Sequence, residues 1–105
     1  MSVYVDPPGS APGQLGRVVF VCHMFADSIP ELVGFAKGIG LKESWLQGND
    51  PDGRRIPHFD LTAGKRAQAV AGGAIEICRE RAGEIIKQWR RRWAEFTMGA
   101  EEKQP

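Results

Sequence analysis

Two histidines and a few aspartates carry most of the chemistry that this chain can offer. His23 and Asp27 stand four positions apart, and His58 and Asp60 stand two apart. Imidazole and carboxylate together suit zinc or a harder divalent ion. The same pairing runs general acid–base chemistry, because a carboxylate tunes an imidazole near neutral pKa. The candidate catalytic set is therefore His23, Asp27, His58 and Asp60. Within it, His23, His58 and Asp60 are the candidate metal ligands, and a divalent metal is the cofactor they would take. Asp6, Lys65 and Arg66 join them as candidate ligand-binding residues, the two cations suiting a phosphorylated small molecule. Neither spacing is a strong motif alone, and each residue has a plain structural reading. Asp27 can reinforce a helix cap at Ser28, Asp60 can cap a helix together with Thr62, and His23 can be a buried histidine bonded to backbone.

The weight of the set lies in where its members fall. Residues 2–5 read as a short strand closed by Asp6, after which prolines and glycines forbid regular structure. Residues 17–22 contain Val18-Val19-Phe20-Val21, a β-branched and aromatic run that reads as a strand buried on both faces. His23 and Asp27 then follow that strand and precede a helix. Ser28 and Glu31 have capping-box spacing with Pro30 in the first turn, Leu32, Phe35, Ala36 and Ile39 form one apolar face, and Gly40 stops the helix. Residues 41–47 are expected to turn Trp45 inward, and residues 48–57 form a loop. Residues 58–61 are extended, and Thr62 caps a second helix reaching about Ala71, with Ala63, Ala67, Val70 and Ala71 inward and Gly72-Gly73 ending it. Residues 74–78 form a last strand, and residues 79–96 a last helix with Ala82, Ile85, Ile86, Trp89, Trp93 and Phe96 on one stripe.

Strands alternating with helices predict an α/β fold: a small single-domain layered sheet with about three helices and at least partly parallel strands. The domain spans residues 1–97, with a polar tail over 98–105. The expected core includes Val19, Val21, Leu32, Phe35, Ile39, Val70, Ile75 and Ile77. In open sheets ligands gather at the carboxyl ends of strands, beside helix N-termini that attract anions. Parallel strands would bring Asp6, His23, Asp27, His58 and Asp60 to one such rim.

Composition narrows the class. The chain has 105 residues, 42% of them hydrophobic and 26% charged, with a formal net charge of +1, so the whole molecule gives no argument for a polyanionic partner. No apolar run approaches the ~20 residues of a membrane helix, and the N-terminus is not expected to be a signal peptide. Cys22 and Cys78 form no C-x-x-C pair and read as buried free thiols in a reducing cytoplasm. Arg79, Arg81, Lys87, Arg90, Arg91 and Arg92 make the last helix basic. That is ordinarily a solvated face, although such a helix can also lie on nucleic-acid phosphates. The end of its apolar stripe is expected to pack on a second chain, giving a homo-oligomer.

Several of these stretches resemble a small bacterial and phage family known as domain of unknown function 4031. They are Val3-Tyr4-Val5-Asp6, Cys22-His23-Met24-Phe25-Ala26-Asp27 with Glu31-Leu32 and Phe35-Ala36, Trp45-Leu46-Gln47, Pro57-His58-Phe59-Asp60-Leu61, Lys65-Arg66 with Ala69, and Gly73-Ala74. The resemblance runs to Arg81, and the longer, more basic segment beyond departs from it. It implies no reaction. The leading expectation from the residues is a ligand-site protein that binds a phosphorylated or nucleotide-like molecule, or hydrolyses it with a metal. The alternative is a non-catalytic accessory domain whose aromatic, basic last helix docks a protein partner or nucleic acid.

Overall fold

Side chains along a strand alternate between its two faces, and that alternation sorts this chain into three layers. The computed structural model describes residues 2–10, 13–48 and 55–102, with side chains described through residue 93. Its main sheet has four strands: β1 (Val3–Val5), β4 (Cys22–Ala26), β5 (Phe59–Leu61) and β6 (Ile75–Glu76), in the order β5-β4-β1-β6. β1 runs parallel to β6 and antiparallel to β4, which is antiparallel to β5. A separate hairpin joins β2 (Gly13–Leu15) to β3 (Val18–Phe20). With helices α1 (Ile29–Gly38), α2 (Ala63–Ala71) and α3 (Arg79–Glu102), the fold is α/β with a mixed sheet.

One face of the sheet presents Val3, Val5, Cys22, Met24, Ala26, Phe59 and Leu61, and these pack against Leu32 and Ala36 of α1 and Ala69 of α2. The opposite face presents Tyr4 and Phe25 to Ala82, Ile85 and Trp89 of α3. The helices start where their caps predict. Ser28 Oγ accepts the N–H of Glu31 at 3.3 Å, and Thr62 Oγ1 accepts that of Lys65 at 3.2 Å. Gly72-Gly73 end α2, with Gly73 at φ +107°, a conformation that favours glycine. Trp89 Nε1 donates to the Ala26 carbonyl at 3.0 Å, and the Arg92 guanidinium lies 4.1 Å above the Trp89 ring. Trp93 packs against Trp89 with the rings tilted by 57° and their centroids 5.8 Å apart, so both tryptophans are engaged within the chain.

Several expectations change. The apolar run at residues 17–22 is not the buried strand: among the described residues no layer covers Val18 and Val19, which stand exposed in the hairpin. The buried strand begins at Cys22, which places His23 inside it rather than after it. Val21, Phe35, Ile39 and Val70 pack at the edge of the core, Ile77 against the α3-side cluster, and Ile75 is exposed. On α2 the inward residues are Ala69 and Val70, while Ala63, Ala67 and Ala71 face outward. Trp45 is half exposed, with the Lys42 ammonium 5.6 Å from its ring centroid. Cys22 is buried, and the thiol pKa is pushed up to about 11, chiefly by burial and then by the nearby Asp6 charge. Cys78 is exposed. The last helix continues past Phe96, whose side chain lies outside the described residues, to Glu102. The middle of the loop expected over 48–57 and the end of the tail also lie outside them. Among the described residues, no helix is long and apolar enough to cross a membrane.

Candidate functional site

The residues of the site are neighbours by strand register. Val5 faces Met24, and the next step brings Asp6 alongside His23, with the Asp6 N–H donating to the His23 carbonyl at 3.2 Å. His23 in turn faces Asp60 across the β4–β5 pair. Three strands therefore set Asp6, His23 and Asp60 abreast, at the ~5 Å spacing of cross-strand neighbours. His58, two residues before Asp60, falls on the same face. It is held by a bridge in which His58 and Gln47 exchange backbone hydrogen bonds of 2.9 Å.

Both imidazoles have one nitrogen committed. His23 Nδ1 donates to Asp6 Oδ2 at 2.7 Å, and His58 Nδ1 donates to the Ile56 carbonyl at 2.9 Å. A carboxylate and a carbonyl only accept here, so the neutral imidazoles carry their proton on Nδ1 and keep a lone pair on Nε2. His58 Nε2 lies 3.6 Å from Asp60 Oδ1, and the His23 and His58 ring centroids are 5.3 Å apart. One ligand atom from each of His23, His58 and Asp60 lies within 4.8 Å of the other two. The second Asp60 oxygen accepts from Gln47 Nε2 at 2.9 Å, which orients the carboxylate. Two histidines and a carboxylate, each braced by a further hydrogen bond, form a donor set fitted to zinc or a similar divalent metal.

The two histidines are tuned in opposite directions. The Asp6 carboxylate bonded to its ring raises the His23 pKa above the ordinary histidine value, against the opposing pull of burial. Burial lowers that of His58, and the charges of His23 and Arg55 add to the effect. The imidazoles open onto a cavity of about 470 Å³ between the sheet and α3. Ala82, Ile86 and Arg90, spaced by four on α3, line one part of it, while Arg55 and Ile56 line another.

The structure thus brings together Asp6, His23, His58 and Asp60, not at a rim of parallel strand ends but on one face of antiparallel neighbours. The other candidates lie elsewhere. Asp27 sits at the far end of β4, where its carboxylate accepts from the Ser2 N–H at 2.8 Å and the Tyr4 hydroxyl at 3.1 Å. Lys65 donates through its ammonium to the Ile39 carbonyl at 2.6 Å, on the α1 side of the sheet. Arg66 bonds the Asp6 carbonyl at 3.2 Å, pairs with Glu76 at 2.9 Å and also meets the Cys22 thiol. It braces the loop that carries Asp6. The N-terminus of α2 therefore does not face the cavity.

Gln47, Gly48, Arg55, Ile56 and Arg90 were not singled out from the sequence as site residues. Gly48 has φ +76°, and a Cβ there would overlap the Ile56 carbonyl and stand 3.0 Å from His58 Nδ1. A glycine closing the Trp45-Leu46-Gln47 stretch was the one local signal for it.

No curated protein and no solved structure matches the chain. A family does, over residues 3–89, which takes in all four clustered site residues and α3 as far as Trp89. The chain accordingly belongs to the family described as Protein of unknown function (DUF4031).

Proposed function

We propose that this protein binds a divalent metal through His23, His58 and Asp60 and uses it to hydrolyse a phosphorylated or nucleotide-like small molecule. The observation that carries the reading is the convergence of three ligand atoms within 4.8 Å, with both imidazole Nδ1 atoms already bonded elsewhere. Metal-ligating histidines characteristically have their second nitrogen bonded in this way. A metal held by three protein ligands keeps a position open for water and lowers that water's pKa toward neutrality. Hydrolysis would add the oxygen of that water to phosphorus and break the phosphorus–oxygen bond to the organic group. The water's proton would end on the departing oxygen, leaving an alcohol and phosphate. The two unpaired cysteines fit a reducing compartment, which supports a cytoplasmic location.

The alternative, an α3 surface that docks a partner or nucleic acid, has less support. Arg92 donates to the Asp27 carbonyl at 2.6 Å and Arg81 pairs with Glu84 at 2.8 Å, so part of the basic face is used within the chain.

Isothermal titration with zinc and manganese tests the metal reading on the wild type, His58→Ala and Asp60→Asn. One metal per wild-type chain is expected, with binding lost in both variants. Equal heats in all three proteins overturn it.

A further inference from the structure

Gln47 touches two of the three ligands at once. Its backbone exchanges 2.9 Å hydrogen bonds with that of His58, and its side-chain Nε2 donates to Asp60 Oδ2 at 2.9 Å. An ionised carboxylate only accepts, so the amide nitrogen is the atom that must face Asp60, and the amide has one orientation. The two Asp60 oxygens are thereby given different tasks. Oδ2 is taken by the amide, while Oδ1 is turned toward His58 Nε2, 3.6 Å away. With the His58 proton on Nδ1, both of those facing atoms carry lone pairs, an arrangement that a shared cation answers. Gly48, the next residue, lies so near the Ile56 carbonyl that a Cβ would overlap it. The anchor of the amide is therefore packed in place and does not follow the carboxylate if it turns.

From this arrangement we infer that Gln47 is a positioning residue that holds Asp60 to a single ligating oxygen and so makes the site select zinc, a four-coordinate ion, over manganese. The inference rests on the metal reading of the triad. Two neutral imidazoles and one carboxylate oxygen supply three donors, and one water completes the tetrahedron that zinc prefers. Manganese favours six ligands in an octahedron rich in oxygen. The simplest way for this triad to serve it is a bidentate Asp60, and that requires Oδ2 to leave the Gln47 amide. Leaving would cost the hydrogen bond on both sides, since the charged oxygen and the half-buried amide each lose a partner. A bond that never touches the metal thus sets the number of donors it meets. Hydrogen-bond partners behind a ligand ordinarily change metal affinity about 10- to 100-fold when removed.

Gln47→Met keeps the length of the side chain and removes the donor, and Gln47→Leu is a second non-donor. Both leave the backbone bridge to His58 in place, and circular dichroism verifies their fold. Zinc and manganese are titrated separately into the wild type and both variants. Imidazole and carboxylate favour zinc over manganese in any site, so the share due to Gln47 is read as the change in the ratio of the two dissociation constants. The expected result is zinc binding weakened about tenfold or more in both variants, with manganese binding held or tightened. A general loosening of the site would weaken both metals alike, and an unchanged ratio overturns the inference while leaving the metal reading standing. Cobalt(II) absorbs visible light strongly only when four-coordinate, which tests the wild type without any variant. Strong bands are expected in the wild type and weaker ones in both variants. Weak bands in the cobalt-loaded wild type overturn the selection of four ligands, again without touching the metal reading. Failure of the wild type to bind zinc at all overturns the metal reading, and this inference with it.

Discussion

Asp6 holds His23 by two bonds at once, one carboxylate oxygen accepting the His23 backbone N–H at 2.6 Å and the other its ring Nδ1 at 2.7 Å. The first bond ties strand to strand, and the second sets the direction of the imidazole. Arg66 in turn bonds the Asp6 carbonyl, so the orientation of His23 is traceable to α2 on the other side of the sheet. A site residue is thereby oriented by Asp6 at the cavity and, through Asp6, by Arg66 on the other side of the sheet.

Replacing Asp6 with asparagine keeps the shape and removes the charge. The His23 pKa should fall, since the bonded carboxylate is the leading cause of its elevation. A group with a raised folded-state pKa contributes stability below its unfolded value, and that contribution is lost as pH rises through the folded value. The Asp6→Asn penalty should therefore be larger at pH 6 than at pH 9, with about 2 kcal/mol at stake for a charge-assisted bond. Urea denaturation at both pH values decides this, and a penalty independent of pH refutes it.

His23 and His58 should titrate on opposite sides of the ordinary histidine value, His23 above and His58 below. For His58 the sign is reversed from His23. Its depressed pKa makes the native state most favoured above the unfolded value, and that contribution is lost as pH falls through the folded value. Nuclear magnetic resonance titration of the two ring signals measures both, and coincident midpoints would refute the tuning. Metal affinity should drop as pH falls, because both imidazoles must be neutral to ligate.

His58→Ala should remove metal binding at some cost in stability. His58 is buried and bonds the Ile56 carbonyl, so its loss leaves that acceptor unpaired at a cost of about 1–3 kcal/mol. Thermal denaturation reads the cost and titration calorimetry the binding. A variant that still takes up zinc as the wild type does removes His58 from the ligand set.

Gly48→Ala should damage the site without touching any ligand. The added methyl would strike the Ile56 carbonyl, the acceptor that orients His58, at a backbone φ that L-residues rarely adopt. The expected result is a loss of about 2 kcal/mol or more together with weakened zinc affinity. Wild-type affinity in this variant would show that the Gln47–His58 bridge does not position the imidazole.

Leu32→Ala and Phe35→Ala should separate the centre of the core from its edge. Leu32 is fully buried, and its truncation should cost about 2–5 kcal/mol. Phe35 is only partly buried at the margin of the same cluster, so its truncation should cost roughly 1–2 kcal/mol. Chemical denaturation of the two variants compares them directly, and an equal or larger loss at Phe35 would place it inside the core.

Local signals alone determined where α1 and α2 begin and where α2 ends, though not that α3 runs on to Glu102. Ser28, Thr62 and the Gly72-Gly73 pair act through hydrogen bonds to residues three or four away, and such bonds are written in adjacent sequence. The His58-x-Asp60 pair was legible for a similar reason, since an extended segment places alternate residues on one face. The apolar run at residues 17–22 misled because β propensity says that a segment is extended, not that anything will cover it. Asp27 shows the limit most clearly. It stands in the sequence as near to His23 as any other candidate, and on the same face of β4. Four steps along a strand nonetheless carry it about 13 Å away. Asp6 and Asp60, far off in sequence, lie beside His23 only because two antiparallel pairings set their registers. Register is settled by burying one whole face of the sheet against α1 and α2, and that energy is shared among residues scattered along the chain. No short stretch of sequence contains it, so the assembly of this site was decided by tertiary packing.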